Sequence, residues 1–216
     1  GRGGAITYAI IGGSGSATVN ASSGLVRGVS AGTVTLVASA VGDASYSASS
    51  VNQVLTITLG APVLTITSAN TVAVDGNLTA SVTTTATDGR GGAITYAMVS
   101  GSGSATVNAS TGLIFGVSAG TATLVASSAG DSSYGPSSAN QVITITSITP
   151  TLTITSGNTL PVDGNLNASV TTTATNGRGG AITYAVIAGS GSATVNASTG
   201  FVSGLSAGTV TLVATA

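Results

Sequence analysis

Apolar and polar side chains alternate with a period of two along most of this chain. Ile94, Tyr96 and Met98 are separated by Thr95 and Ala97, and Ile6, Tyr8 and Ile10 repeat the arrangement, as do Ile182, Tyr184 and Val186. A period of two sends successive side chains to opposite faces of an extended strand, so each triplet is expected to face a core. Over 77–87, Leu78, Ala80, Val82 and Ala86 alternate with Thr79, Ser81, Thr83, Thr85 and Thr87. That stretch predicts one long strand with an apolar face and a hydroxyl face, a surface that suits threonine because its β-branch favours extended backbone. Gly, Ser, Asn and Asp interrupt the alternation at short intervals, as turns do. The pattern predicts strands at 63–67, 77–87, 93–99, 104–107, 113–115, 121–127 and 141–146, with no helix.

The same phrases return at a fixed offset. Tyr8, Tyr96 and Tyr184 stand in "AITYA" at a spacing of 88 residues, and "SGSATVNAS" begins at Ser14, Ser102 and Ser190. "DGNL" at Asp75 and Asp163 and "SAGT" at Ser30, Ser118 and Ser206 keep the register. A period this long exceeds the usual solenoid repeats and matches a small β-sandwich domain.

Composition narrows the functions available. Charged residues make up 4% of the chain, the net charge is −1, and the cations are Arg2, Arg27, Arg90 and Arg178. So few cations cannot neutralise a phosphate backbone or hold an anionic membrane surface, so neither nucleic acid nor membrane is an expected partner. Apolar runs stay well short of the roughly 18 residues that a spanning helix requires. Cysteine is absent, so there is no disulfide framework and no thiolate metal site. The chain opens in mid-pattern at "GRGGAITYA" without methionine and reads as a segment of a longer polypeptide.

The run "GSATVNASTGLIFGVSAGTATLVASSAGDSSY", 103–134, resembles bacterial immunoglobulin-like domains, especially the group-2 type found in tandem in large surface proteins and adhesins. The likeness lies in an "ATVN" strand, a glycine-terminated turn, a short apolar strand, "SAGTAT" and "AGDSSY". The first copy follows the same path over 15–46, and the third follows it from Gly191. The resemblance implies tandem immunoglobulin-like β-sandwiches of about seven strands each, an all-β fold serving as spacer, stalk or adhesive tip. On this template 1–59 is a copy lacking its first strands, 60–148 a complete copy and 149–216 a copy lacking its last strand. Neighbouring chains are one source of the absent strands, because an open sheet edge invites strand addition.

Candidate chemistry centres on asparagine. Asn20, Asn108 and Asn196 each begin Asn-Ala-Ser, Asn77 begins Asn-Leu-Thr and Asn167 begins Asn-Ala-Ser, so all five fit the N-glycan acceptor pattern. In "VNASTG" the same Asn and Ser can instead hydrogen-bond local backbone while Gly112 supplies a left-handed conformation. Asp75, Asp163, Asp43 and Asp131 are carboxylates in turn-like contexts. A calcium ion takes six to eight oxygens, and isolated Asp-Gly pairs read as turns, so no metal site is assigned. Without His, Lys, Glu or Cys a serine nucleophile has no evident base, and neither catalytic nor cofactor-binding residues are expected. The glycines of "GRGG" at 89–92 lack the lysine and helix of a phosphate loop and read as a flexible hairpin connection. Arg27, Phe115 and Ser203 share one repeat position without sharing chemistry, which predicts exposure there and no common ligand contact.

These readings converge on a non-enzymatic structural segment of an extracellular or cell-surface bacterial fibre or stalk. Its expected partners are copies of itself and covalent glycans. The alternative, an adhesin that binds a host or environmental glycan, needs an exposed aromatic platform.

Overall fold

The computed structural model describes residues 4–175 and 177–216, and Arg2 lies outside them. The described residues form strands, turns and irregular backbone, with no helix. Two compact units divide the chain, Gly1–Ser147 and Ile148–Ala216.

The first unit begins with β1 (Ile6–Ile11), β2 (Ser16–Val19), β3 (Val26–Ser30), β4 (Gly32–Ala40) and β5 (Ser49–Ile57), all within the first copy of the repeat. They form a β1-β4-β5 sheet and a β2-β3 pair.

The central copy contains β6 (Leu64–Ile66), β7 (Thr71–Ala73), β8 (Asn77–Thr79), β9 (Val82–Thr84), β10 (Ile94–Ser100), β11 (Ser104–Val107), β12 (Leu113–Ser118), β13 (Gly120–Ser128) and β14 (Ser137–Thr146). One layer holds the β6-β9 pair and the β11-β12-β8 sheet, and the other holds β10-β13-β14-β7. With β8 and β9 counted as one divided strand, the first, second, fourth and fifth strands share a layer and the third, sixth and seventh share the other. This is the immunoglobulin-like arrangement. β7 adds to the second layer parallel to β14, while the other pairs are antiparallel.

All seven expected spans carry strand, with two differences in detail. The predicted strand at 77–87 is divided, because its halves serve different sheets: β8 pairs with β12 and β9 with β6. At the break Ala80 donates its N–H to Gly112 and Ser81 accepts from Thr67, so backbone bonding continues across the switch. The face assignment survives it. Leu78, Ala80, Val82 and Ala86 lie inward while Thr79, Ser81, Thr83, Thr85 and Thr87 are exposed. β7 was not expected, since three residues are too few for alternation to register, and its pairing depends on a partner far along the chain.

Ile114, Leu124, Ile143 and Ile145 are fully buried and pack with Val72, Ala80, Ala105 and Ala122. Tyr96 and Met98 close over this cluster, as the alternation of β10 predicts. Burying each large aliphatic side chain stabilises by roughly 1.5–3 kcal/mol, so a core poor in aromatics still suffices for a small sandwich.

The second unit repeats the plan with β15 (Leu152–Ile154), β16 (Asn165–Asn167), β17 (Val170–Thr172), β18 (Thr183–Ala188), β19 (Ser192–Val195), β20 (Phe201–Ser206) and β21 (Val210–Thr215). Its sheets are β15-β17, β16-β20-β19 and β18-β21. Counterparts of β7 and β14 are absent from the described residues of this unit.

Candidate functional site

The Asn-Ala-Ser segments at Asn20, Asn108 and Asn196 each follow a short strand and begin the return of the chain. The Asn108 Oδ1 accepts the backbone N–H of Ser110 at 3.0 Å and of Thr111 at 2.9 Å. Asn20 does the same with Ser22 and Ser23, and Asn196 with Ser198 and Thr199. The turn closes where Gly112 donates to the Asn108 carbonyl. Gly112 sits at φ +70°, and a Cβ there would meet the Tyr96 ring at 3.1 Å, so glycine is required by both backbone and neighbour. The asparagine side chain therefore works as a turn residue in all three copies. Its hydrogen bonds use only the carboxamide oxygen, and Asn20, Asn108 and Asn196 are all exposed. Asn77 and Asn167 stand exposed on β8 and β16, away from these turns.

The densest polar arrangement lies elsewhere, at the joint between the first and central copies inside the first unit. The Val29 carbonyl accepts the Arg90 guanidinium at 3.1 Å and the Ser133 hydroxyl at 2.7 Å. Ala31 donates its N–H to Ser132 at 2.7 Å, and Gly60 exchanges backbone bonds with Ser133 and Gly135. A cavity of about 150 Å³ remains between Val29, Ile57, Arg90 and Tyr134. The Tyr134 hydroxyl meets the Thr87 hydroxyl at 3.0 Å and accepts its N–H at 3.2 Å, and these bonds favour the phenolate and hold Tyr134 below its usual value.

Asp131 organises the central side of this joint. Its Oδ2 accepts the Gly91 N–H at 2.6 Å, and its Oδ1 accepts those of Ser133 and Tyr134 at 2.7 and 2.9 Å. The Gly91 bond, then those from Ser133 and Tyr134, keep this carboxyl below its ordinary value. The "GRGG" segment is thus not the free hairpin connection expected. Arg90, Gly91 and the Ser128 hydroxyl, which donates to the Gly91 carbonyl, tie it at several points. The sequence held a signal for this, an arginine and an aspartate at fixed places in the repeat, but a lone charge in a glycine loop does not reveal its acceptor.

Other carboxylates stay dispersed. Asp75, Asp88 and Asp163 occupy left-handed backbone at φ near +60°, as turn residues do, and Asp43 accepts the N–H groups of Ser45 and Tyr46. Among the described residues no three His, Cys, Asp or Glu side chains gather as metal ligands. Arg27 pairs with Asp88 at 3.3 Å, but both side chains are largely exposed, where such pairs contribute little. At the variable position Arg27 and Phe115 are exposed and Ser203 is half-buried.

No family model and no curated protein matches the chain. The crystal structure of Drosophila N-cadherin EC1-3 is similar over 98% of this chain and 87% of that one, with 13% identity and a TM-score of 0.33. A likeness this distant bears on neither family nor activity, and the immunoglobulin-like assignment rests on the strand order itself.

Proposed function

We propose that this chain is a structural, non-enzymatic repeat segment of an extracellular bacterial fibre or stalk, built from group-2-like immunoglobulin domains. The joint at Val29, Arg90 and Ser133 carries this reading. Its two halves recur in sequence: Val29 has counterparts in Val117 and Leu205, Arg90 in Arg178, and Asp131 and Tyr134 in Asp43 and Tyr46. Joint residues that recur at the repeat spacing suit an array of equivalent units, whereas a binding protein needs only one specialised surface. Exposed aromatics do not recur as a platform either: Phe115 and Phe201 occupy different repeat positions, and the exposed Tyr46 has its counterpart in Tyr134, which is half-buried and bonded to Thr87. The low charge supports an assembled or glycan-coated state, because electrostatic repulsion cannot keep such chains apart.

Electron microscopy of native material tests the reading: continuous filaments of repeating domains are expected, and dispersed single rods tipped by a different domain would favour an adhesin. For the glycans, intact mass above the 20.2 kDa polypeptide by hexose-containing increments at Asn20, Asn77, Asn108, Asn167 or Asn196 is expected. An unmodified mass refutes that part alone.

A further inference from the structure

The chain holds two phenylalanines, and neither enters a core: Phe115 on β12 is 36% exposed and Phe201 on β20 is 43% exposed. An aromatic ring left in water forgoes much of the stabilisation that its burial would contribute, so both placements need a reason. The repeat supplies none, because Phe115 has Ser203 as its counterpart and Phe201 has Leu113. What the two share is the residue opposite. Phe115 pairs with Asn77 of β8, and Phe201 pairs with Asn167 of β16. Both asparagines begin N-glycan acceptor patterns, Asn-Leu-Thr and Asn-Ala-Ser.

The match follows the acceptor asparagine and not the repeat position. In the second unit the counterpart of Asn77 is Asn165, which begins no acceptor pattern because Asn167 stands where a Ser or Thr is required. Asn165 faces Ser203, whose hydroxyl donates to its Oδ1 at 2.8 Å. In the central copy the counterpart of Asn167 is Thr79, which faces Leu113. The acceptor thus moves by two residues between copies, and the phenylalanine moves with it. Ladder bonding sets each pair at close range. Gly116 donates to Gly76 at 3.1 Å and Ala80 to Gly112 at 2.9 Å, so the alternation of an antiparallel ladder makes Asn77 and Phe115 a non-hydrogen-bonded pair. Gly204 donates to Gly164 at 3.1 Å and Ala168 to Gly200 at 2.8 Å, which does the same for Asn167 and Phe201. Side chains in such pairs share a face and begin about 4.5–5.5 Å apart at Cβ, the closer of the two kinds.

We propose that Asn77 and Asn167 are the glycan-bearing asparagines, and that Phe115 and Phe201 are positioning residues on which the first sugar ring rests. This deepens the glycan part of the proposed function and rests on it. Asn20, Asn108 and Asn196 each hold two backbone N–H groups through the carboxamide oxygen. Among the described residues no hydrogen bond engages the carboxamide of Asn77 or Asn167. A carboxamide must rotate and lose its conjugation to act as a nucleophile, and an unbonded one does so without giving up native hydrogen bonds. In the transfer, Nδ2 bonds to the anomeric carbon of a glycosyl diphosphate donor as the bond from that carbon to the diphosphate oxygen breaks. Nδ2 gives one of its two protons to a base of the transferring enzyme. The attached pyranose then lays its C–H face against the phenyl ring, whose electron-rich π face attracts those hydrogens. β8 and β16 are outermost in their sheets, so a sugar there also covers an open edge that this chain has few charges to protect.

Two measurements on the native, full chain test the proposal. Glycopeptide mass spectrometry should place the sugar on Asn77 and Asn167 and leave Asn20, Asn108 and Asn196 bare. Turn asparagines occupied to an equal or greater extent overturn the assignment and leave the glycan reading standing, whereas a chain without any sugar refutes both. The stacking is read by nuclear magnetic resonance of the glycosylated chain, in which protons of the first sugar at each site should lie upfield under the ring current of the facing phenyl. Phe115→Ala should abolish that shift at Asn77 and spare it at Asn167, and Phe201→Ala should do the reverse. Sugar shifts unchanged in these variants overturn the positioning role. Melting temperatures separate it from a structural one: Phe115→Ala should lower the value more in the glycosylated chain than in a chain that also carries Asn77→Gln, and equal drops overturn the contact between ring and sugar.

Discussion

The central copy and the second unit share nearly one sequence path but differ in how well that path closes. In the central copy Ala122 and Leu124 of β13 are fully buried, whereas Val210, the counterpart of Ala122, is 36% exposed. Ile154 is 39% exposed where its counterpart Ile66 packs on the core. The residues lining the two sites are equally apolar, so the difference comes from β14. A single strand with alternate apolar side chains turns a two-layer scaffold into a closed core.

The largest break in this contrast should come from Ile143→Ala. The side chain is fully buried at the centre of the cluster, and removing it should cost about 2–5 kcal/mol. The matching change in the first copy, Leu55→Ala, falls on a partly exposed strand and should cost less than half as much. Denaturant unfolding of each variant gives the comparison, and equal losses would show that β14 does not close the core.

A smaller effect is expected of Gln141→Ala, which removes the partner that the Ser68 hydroxyl meets at 3.4 Å. Leaving the Ser68 hydroxyl unsatisfied should cost about 1–3 kcal/mol in the same measurement, with no change of fold by circular dichroism. The turn sharpens the comparison from the other side, because it is equally complete in both regions. Asn108→Ala and Asn196→Ala should each cost about 1 kcal/mol despite the unequal cores around them. Asn→Asp at either position keeps the acceptor oxygen and removes the sugar acceptor, so stability should hold while any glycan mass disappears.

The smallest effect is acid sensitivity at Asp131. Its carboxylate is favoured in the folded state, so the unfolded chain takes up the proton first as pH falls past the ordinary value of 3.8. The contribution is fully present above that value and is lost as pH falls through the lower folded value. Melting temperatures between pH 5 and pH 2 should show this loss for the first unit, and Asp131→Asn should flatten it.

Much of this architecture was legible in the sequence, because each strand with an exposed and a buried face writes its own alternation. Tyr96 and Met98, and the threonine face opposite Leu78 and Val82, were placed correctly for that reason. The turn at Asn108 was legible too, since its bonds reach only two and three residues ahead. Features that join distant segments were not. β7 is too short to show a period, the division between β8 and β9 is set by which sheets receive them, and Arg90 meets a carbonyl, an acceptor every residue carries. Ser68 and Gln141 look like unremarkable polar residues until pairing brings them together.

One consequence of the parallel β7–β14 pair concerns force. These strands lie near the entry and exit of the central copy, and because they run in the same direction, pulling its two ends apart slides one along the other. The bonds from Thr144 to Asn70 and from Val74 to Thr146 then bear the load together in shear, whereas an antiparallel hairpin pulled at its open end yields one bond at a time. A completed copy should resist stretching until these bonds fail at once.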